Sequence, residues 1–326
     1  MPERRTSRRS HSNDDAPTLP GLQERRILVT GAAGFVGRRI VDHLLERGCQ
    51  VVAIDMRGAA EPPPPGVIRV VADVGASGWH RWAEGCVAAV HLAGAAREEP
   101  KRGVTFERVH VHATRSLVAS LPRLGVERLV HVSAAGAGRD AASAYLRSKW
   151  AAEEEVRASR IQWTIIRPSL LFGPGDCFSA TLADCLRRLP LFPVPLRGSL
   201  RLQPLDVRDL VALLAAALER PDMVGQEVQA GGPEVITFDD LVRRAGRAVG
   251  RPRTLIHLGP RSARFLVGAL QLLSRPPISA DQLATLLADS ISDASAISSL
   301  IGTPLRRYEG PTWLVPAALR SRAADA

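Results

Sequence analysis

The chain has 326 residues, of which 45% are hydrophobic and only 4% aromatic, and its formal net charge of +10 corresponds to a pI near 10.7. That length suits one large domain, or a large domain with a smaller annex, and an ample core, and no run of 18 apolar residues offers a spanning helix. The positive charge forms no stripe interleaved with aromatics, which argues against nucleic acid, and Cys49, Cys86, Cys177 and Cys185 lack CxxC spacing or nearby histidines, which argues against a metal site or disulfide framework and for a cytoplasmic setting.

Residues 1–24 are polar and rich in Arg, Ser and Pro, without the apolar stretch of a secretory signal, and read as a disordered basic tail. From there short branched runs alternate with amphipathic segments. "RRILVT" (25–30), "QVVAID" (50–55), "VIRVVAD" (67–73), "VAAVHLAG" (87–94), "RLVHVS" (128–133) and "IQWTIIRP" (161–168) read as buried strands. Helices are expected to about Arg47, near 76–84 and 104–124, and from Ala142 to Ser159, while "EPPPPG" (61–66) must be a surface loop. This alternation predicts an α/β fold, a Rossmann doubly wound parallel sheet over 25–168.

After Pro168 the texture turns Pro- and Gly-rich, and 169–315 reads as a smaller, mainly helical substrate or lid region. Its helix 206–220 is expected to pack back on the sheet, and another helix covers 237–250. The mostly apolar stretch 260–275 carries basic ends and is open to four readings: core helix, lid, partner-docking helix or membrane-surface helix. Residues 316–326 are expected to fray.

"VTGAAGFVGRRI" places Gly31, Gly34 and Gly37 between a strand and a helix, with Ala33, Phe35 and Val36 in the same turn. The first glycine permits the tight turn, the second close approach to a pyrophosphate, and the third close packing of helix on strand. Asp55 ends the second strand, where a carboxylate would accept the adenosine ribose hydroxyls. Its charge favours NAD(H) over NADP(H), although Arg57 or Arg38 could reach a 2′-phosphate and leave NADP(H) open. Asp73, with Val74, is placed to meet the adenine. Ala93, Gly94 and Ala95 bring small residues to the nicotinamide side.

The chain holds two tyrosines, Tyr145 and Tyr308, and two lysines, Lys101 and Lys149, against 41 arginines. One tyrosine precedes one lysine by four residues, so "YLRSK" sets a phenol and an ammonium on one helical face. A phenol is a poor base near neutral pH, and a nearby ammonium would lower its pKa. Arginine, bulkier and planar in its head group, would not copy that role. The histidines are dispersed, and His110 and His112 read as structural.

These segments resemble the short-chain dehydrogenase/reductase superfamily, in its extended or atypical branch known as NAD-dependent epimerase/dehydratase. "TGAAGFVG", "YLRSK" and "RPSLLFGPGD" carry the resemblance over about residues 25–310. "QPLDVRDL" and "AGGPEVITFDDLV" are most similar to the subgroup related to the dinucleotide-binding accessory subunit of respiratory complex I. The resemblance implies a bound dinucleotide touching Pro168 as well as the glycine turn. It implies general acid or base work by Tyr145 and a bond from Lys149 to the nicotinamide ribose. It also implies a hydroxyl after the fifth strand that donates to the substrate oxygen. Ser133 stands at the first hydroxyl position there, while the usual catalytic position falls on Ala134.

The expected activity is oxidoreductase or epimerase chemistry on a small-molecule secondary alcohol or ketone. A nucleotide-binding accessory, assembly or redox-sensing role with little turnover stays open beside it. So does association with a membrane surface or a respiratory complex. Arg167, Arg201 and Arg208 are either anion contacts or structural arginines.

Overall fold

The computed structural model describes residues 21–58, 61–195, 198, 200–259, 262, 280–286 and 291–315. In chain order the strands are β1 (Arg26–Thr30), β2 (Gln50–Asp55), β3 (Val67–Val71), β4 (Cys86–His91), β5 (Arg128–Val132), β6 (Gln162–Pro168), β7 (Leu171–Phe172), β8 (Leu191–Pro195), β9 (Arg201–Leu202), β10 (Leu205–Asp206), β11 (Gln226–Ala230), β12 (Ile236–Thr237) and β13 (Thr254–Leu258). The helices are α1 (Phe35–Glu46), α2 (His80–Ala83), α3 (Ala113–Ser120), α4 (Ala144–Arg157), α5 (Cys177–Arg188), α6 (Val207–Glu219), α7 (Phe238–Ala248), α8 (Ala280–Leu286) and α9 (Ala294–Ile301).

Seven strands form one parallel sheet in the order β11-β6-β5-β4-β1-β2-β3. The order reverses between β1 and β4, the doubly wound arrangement in which ligands sit beyond the carboxyl ends of the strands. Residues two apart in a strand share a face, and the core divides accordingly. Ile27, Val29, Val130 and Val132 meet Ile40 and Leu44 of α1 and Leu210 and Leu214 of α6 on one face. Leu28, Leu129 and Ile165 meet Leu117 of α3 and Val156 of α4 on the other. A parallel sheet is stable only when both faces are covered like this.

Two expectations need adjustment. The seventh strand, β11, arises from "QEVQA", in the half of the chain expected to lie outside the sheet, and pairs with β6 in register from Thr164 to Pro168. The C-terminal part is also less purely helical than expected. Short strand pairs join α5 and α7 around a third core of Phe172, Leu186, Val194, Leu241 and Tyr308. α6 does pack back on the sheet. The stretch expected as an apolar helix, 260–275, lies outside the described residues apart from Ser262, as do residues 316–326 and residues 1–20 of the expected tail 1–24. Residues 21–24 are described, and there Leu22 is buried in the core instead of belonging to a disordered tail. No described helix is long and apolar enough to cross a membrane.

Candidate functional site

The glycine turn closes against the end of β4. Gly31 has φ +70°, and a Cβ there would lie 2.7 Å from the backbone of Leu92 and Ala93, so both conformation and space require glycine. A Cβ on Gly37 would meet the Gly31 carbonyl at 2.2 Å, which explains how α1 starts so close to β1. Gly34 caps α1 in extended conformation, and the helix has neither a side-chain cap nor an acidic residue in its first turn. Its first N–H groups and positive dipole end therefore suit a phosphate, and the donor set fits a dinucleotide pyrophosphate. Phe35 and Val36 follow as the first helical residues. Phe35 lies under the Arg39 guanidinium, 4.6 Å from its ring centre, and beside Gly173.

Asp55 does more than its position at the end of β2 predicts. Its Oδ2 accepts the Ala33 N–H at 3.0 Å, which ties the glycine turn to β2, and its Oδ1 accepts the Arg57 N–H at 2.9 Å and Arg57 Nε at 3.3 Å. A carboxylate has about four acceptor positions, so capacity for a ribose hydroxyl remains. Arg57 thus turns back on Asp55. Asp73 accepts the Gly75 N–H at 2.8 Å and pairs with Arg108 at 2.6 Å. Val74 is buried in the core with Trp79. The Pro168 carbonyl accepts the Ala135 N–H at 2.9 Å, holding the loop after β5 to the end of β6.

Helix α4 carries both Tyr145 and Lys149. Ser143 begins it, with Oγ accepting the Leu146 N–H at 3.2 Å. Lys149 is 5% exposed and donates from Nζ to the Val132 carbonyl at 2.7 Å, which fixes the ammonium at the carboxyl end of β5. Burial lowers its pKa to about 8, against the opposing attraction of Glu153. Tyr145 is half-buried, its ring packed edge-on against Phe106 at 5.7 Å and His110 at 5.5 Å, and its hydroxyl has no partner among the described residues. Burial pushes its phenol up to about 12. This is the opposite of the direction expected from a neighbouring ammonium. Loss of water around the ring is the cause of the shift, and Lys149 is itself buried and bonded to the backbone.

His110 is the residue that sequence reasoning dismissed and the structure brings to the centre. It sits in a π-helical turn, Glu107–His112, leading into α3, the kind of local widening that often marks a functional region. Its Nε2 lies 3.0 Å from the Ala95 N–H and therefore accepts, which leaves the proton on Nδ1 to donate to Ser148 Oγ at 2.8 Å. Ser148 then donates to the Tyr145 carbonyl at 2.7 Å. Burial, helped by the charge of Lys149, keeps the His110 pKa well below its ordinary value, so the ring is neutral. A Cβ on Gly94 would press within 3.1 Å of this imidazole and 3.8 Å of Lys149 Nζ. The small residues 93–95 are therefore explained in part by the histidine behind them. The one available signal was Phe106, which shares a helical face with His110 four residues on.

Ser133 is buried, its Oγ has no partner among the described residues, and the Ala134 side chain beside it offers no donor. Of the arginines, Arg167 is bidentate on buried Glu153 at 2.7 and 2.6 Å, and Arg208 pairs with Asp206 at 2.7 Å. Arg167 is buried in that pairing, whereas the Arg208 side chain stays largely exposed.

Comparison with known proteins follows the same pattern. A model of the NAD-dependent epimerase/dehydratase family matches residues 27–231. The chain is 30% identical over 257 residues to a ceramide reductase of Caulobacter vibrioides, covering 77% of this chain and 80% of that protein. It is 31% identical over 229 residues to the mouse mitochondrial NADH dehydrogenase [ubiquinone] 1 alpha subcomplex subunit 9, covering 66% of this chain and 59% of the subunit. In structure it is similar to UDP-glucuronic acid 4-epimerase from Bacillus cereus, with a TM-score of 0.66, 17% identity, and coverage of 91% of this chain and 99% of that one.

Proposed function

The chain belongs to the NAD-dependent epimerase/dehydratase family, and on that premise we propose that it exchanges hydride between NAD and a secondary alcohol or ketone, with Tyr145 as proton donor and acceptor. It is an NAD-dependent oxidoreductase or epimerase by family. The observation that carries the finer reading is the pairing on α4: an unpartnered phenol held near 12 beside a buried lysine near 8.

In this reading the turn Gly31–Gly37 and the Asp55 carboxylate hold the dinucleotide. Arg57, Asp73, Val74, Ala93–Ala95 and Pro168 flank it, and Lys149 holds its nicotinamide ribose. The cofactor supplies or accepts the hydride. In the reducing direction Tyr145 gives its proton to the carbonyl oxygen as negative charge develops there. A phenol near 12 remains protonated at neutral pH, and Lys149 near 8 remains mostly charged, so both start in the state that reduction requires. The Lys149 charge then favours the phenolate left behind until solvent returns the proton. Ser133 supplies the third hydroxyl, since Ala134 supplies none, and an unpartnered buried donor suits a group held for a substrate oxygen. Residues 25–168 bind the nucleotide, and 169–315 face the substrate while lending β11 and α6 to the sheet. The four free cysteines support a cytoplasmic setting.

The similarity to a ceramide reductase puts a long-chain amide bearing a ketone first among substrates to try, followed by UDP-sugars and quinones. The second reading is an accessory nucleotide-binding protein with little or no turnover, favoured by Ala134 and by the similarity to a respiratory-complex subunit. The test is whether NAD(H) co-purifies and whether NADH is consumed with the ketone analogue of a ceramide, with Tyr145→Phe as control. Turnover unchanged in that variant would overturn the acid/base role. Tight NAD binding without turnover on the whole panel would favour the accessory reading.

A further inference from the structure

The amino end of α4 is completed by a residue more than a hundred positions away. The first N–H groups of a helix have no partner within it. Ser143 satisfies that of Leu146. The N–H groups of Ala144 and Tyr145 are satisfied instead by Asp281 of α8. Its Oδ1 accepts from Ala144 at 2.6 Å, and its Oδ2 accepts from Tyr145 at 3.2 Å. The same Oδ2 accepts from Ser143 Oγ at 3.1 Å, and Ser143 Oγ lies 2.7 Å from Thr285 Oγ1 one turn along α8. One carboxylate thus takes three donors from three consecutive residues, the last of which bears the phenol.

We propose that Asp281 is a positioning residue for Tyr145, fixing the backbone from which the phenol projects and so coupling the docking of α8 to the alignment of the acid/base group. The proposal rests on the reading of Tyr145 given above. Two features support it. A carboxylate at a helix amino end is favoured by the macrodipole and by charge-assisted bonds to N–H groups. In addition, the Tyr145 ring is gripped from the other side by Phe106 and His110, and the Tyr145 carbonyl by Ser148. Asp281 closes the remaining freedom, at the residue's own N–H. A displacement of about 1 Å at a reacting group can lower a rate by about 100-fold.

The test uses the full chain saturated with NAD, comparing wild type with Asp281→Ala and Asp281→Asn. In Asp281→Ala, amide hydrogen exchange at Ala144 and Tyr145 should accelerate about tenfold, the usual consequence of losing a helix cap. In a Tyr308→Phe background, Tyr145 is the single phenol, and its ultraviolet titration midpoint should fall from about 12 toward the ordinary value of about 10 as water reaches the ring. With NADH and the ketone analogue of a ceramide, kcat should fall about 10- to 100-fold while the Kd for NADH stays unchanged. Asn, which keeps an acceptor oxygen, should restore part of each effect. Unchanged exchange in Asp281→Ala would overturn the contact itself. Accelerated exchange with an unmoved phenol titration would overturn the positioning role. If wild type turns over no substrate, the enzymatic reading fails, and exchange and titration still decide the role of Asp281.

Discussion

One face of α4 carries Tyr145, Lys149, Glu153 and Arg157 at intervals of four residues, and its two halves are treated in opposite ways. In the rear half, Glu153 is fully buried yet bonded to Arg167 at 2.6 Å and to Arg157 at 2.5 Å. Glu227 closes the ring, 2.6 Å from Arg157 and 2.9 Å from Arg167. The Trp150 ring lies within 4.4 Å of one guanidinium and 5.6 Å of the other. In the front half, among the described residues, Lys149 has one bond, to a neutral carbonyl, and the Tyr145 hydroxyl has none. The titrations diverge accordingly. The bond from Glu153 pushes the Arg167 pKa up, whereas burial alone pushes Lys149 down and Tyr145 up, both toward the neutral form. Burial is common to both halves. What separates them is compensation: paired charges build a scaffold, and groups left short of partners are available for chemistry.

The sharpest way to break this comparison is Tyr145→Phe. It removes a hydroxyl that supports no packing bond, so turnover should fall about 1,000-fold while the melting temperature and NAD affinity hold, as measured by calorimetry and titration. A variant that unfolds instead would place Tyr145 with the scaffold. Glu153→Gln should do the reverse. It leaves buried Arg167 facing Glu227 alone, while partly exposed Arg157 keeps Glu227 and Glu154, and should cost about 3 kcal/mol, a fall in Tm of roughly 4–5 °C, with NAD affinity retained. Ser133→Ala tests the front half again. Turnover should fall about 100-fold, with Tm unchanged or slightly raised, because a buried unpartnered hydroxyl contributes nothing to stability. A loss of stability there would show that the hydroxyl is bonded and structural.

How much of this could be read from the chain follows from the range of the interactions. The strands β1 to β6 were legible because burial on both faces demands continuous branched runs. β11 was not, because it lies at the sheet edge, where only Ala230 is fully buried and "QEVQA" carries no apolar pattern. Tyr145 and Lys149 stand out in the chain because their spacing is local and both residue types are scarce. His110 and Asp281 touch the same helix through contacts 38 and 136 residues long, and no local pattern announces them. The direction of the Tyr145 shift is not legible for a related reason. Helical spacing reveals which charge is near, but not how much water has been lost.

Lys149→Met measures that lost water directly. The lysine titrates near 8 in the folded protein and near 10.5 unfolded. Below about pH 8 both states are protonated, and folding carries the full cost of burying the ammonium. Between about 8 and 10.5 the unfolded chain binds the extra proton, so wild-type stability should rise with pH across that window. Methionine fills similar space without the charge but leaves the Val132 carbonyl unbonded. At pH 7 the variant should therefore be more stable by on the order of 2 kcal/mol, after about 1 kcal/mol for the lost hydrogen bond. That gain should fade as pH rises through the same window, and turnover should be lost at every pH. Denaturant titrations of both proteins at several pH values would check it. If methionine destabilises at pH 7 and the wild-type curve is flat, the ammonium is as well compensated as Glu153, and the contrast between the two halves of α4 disappears.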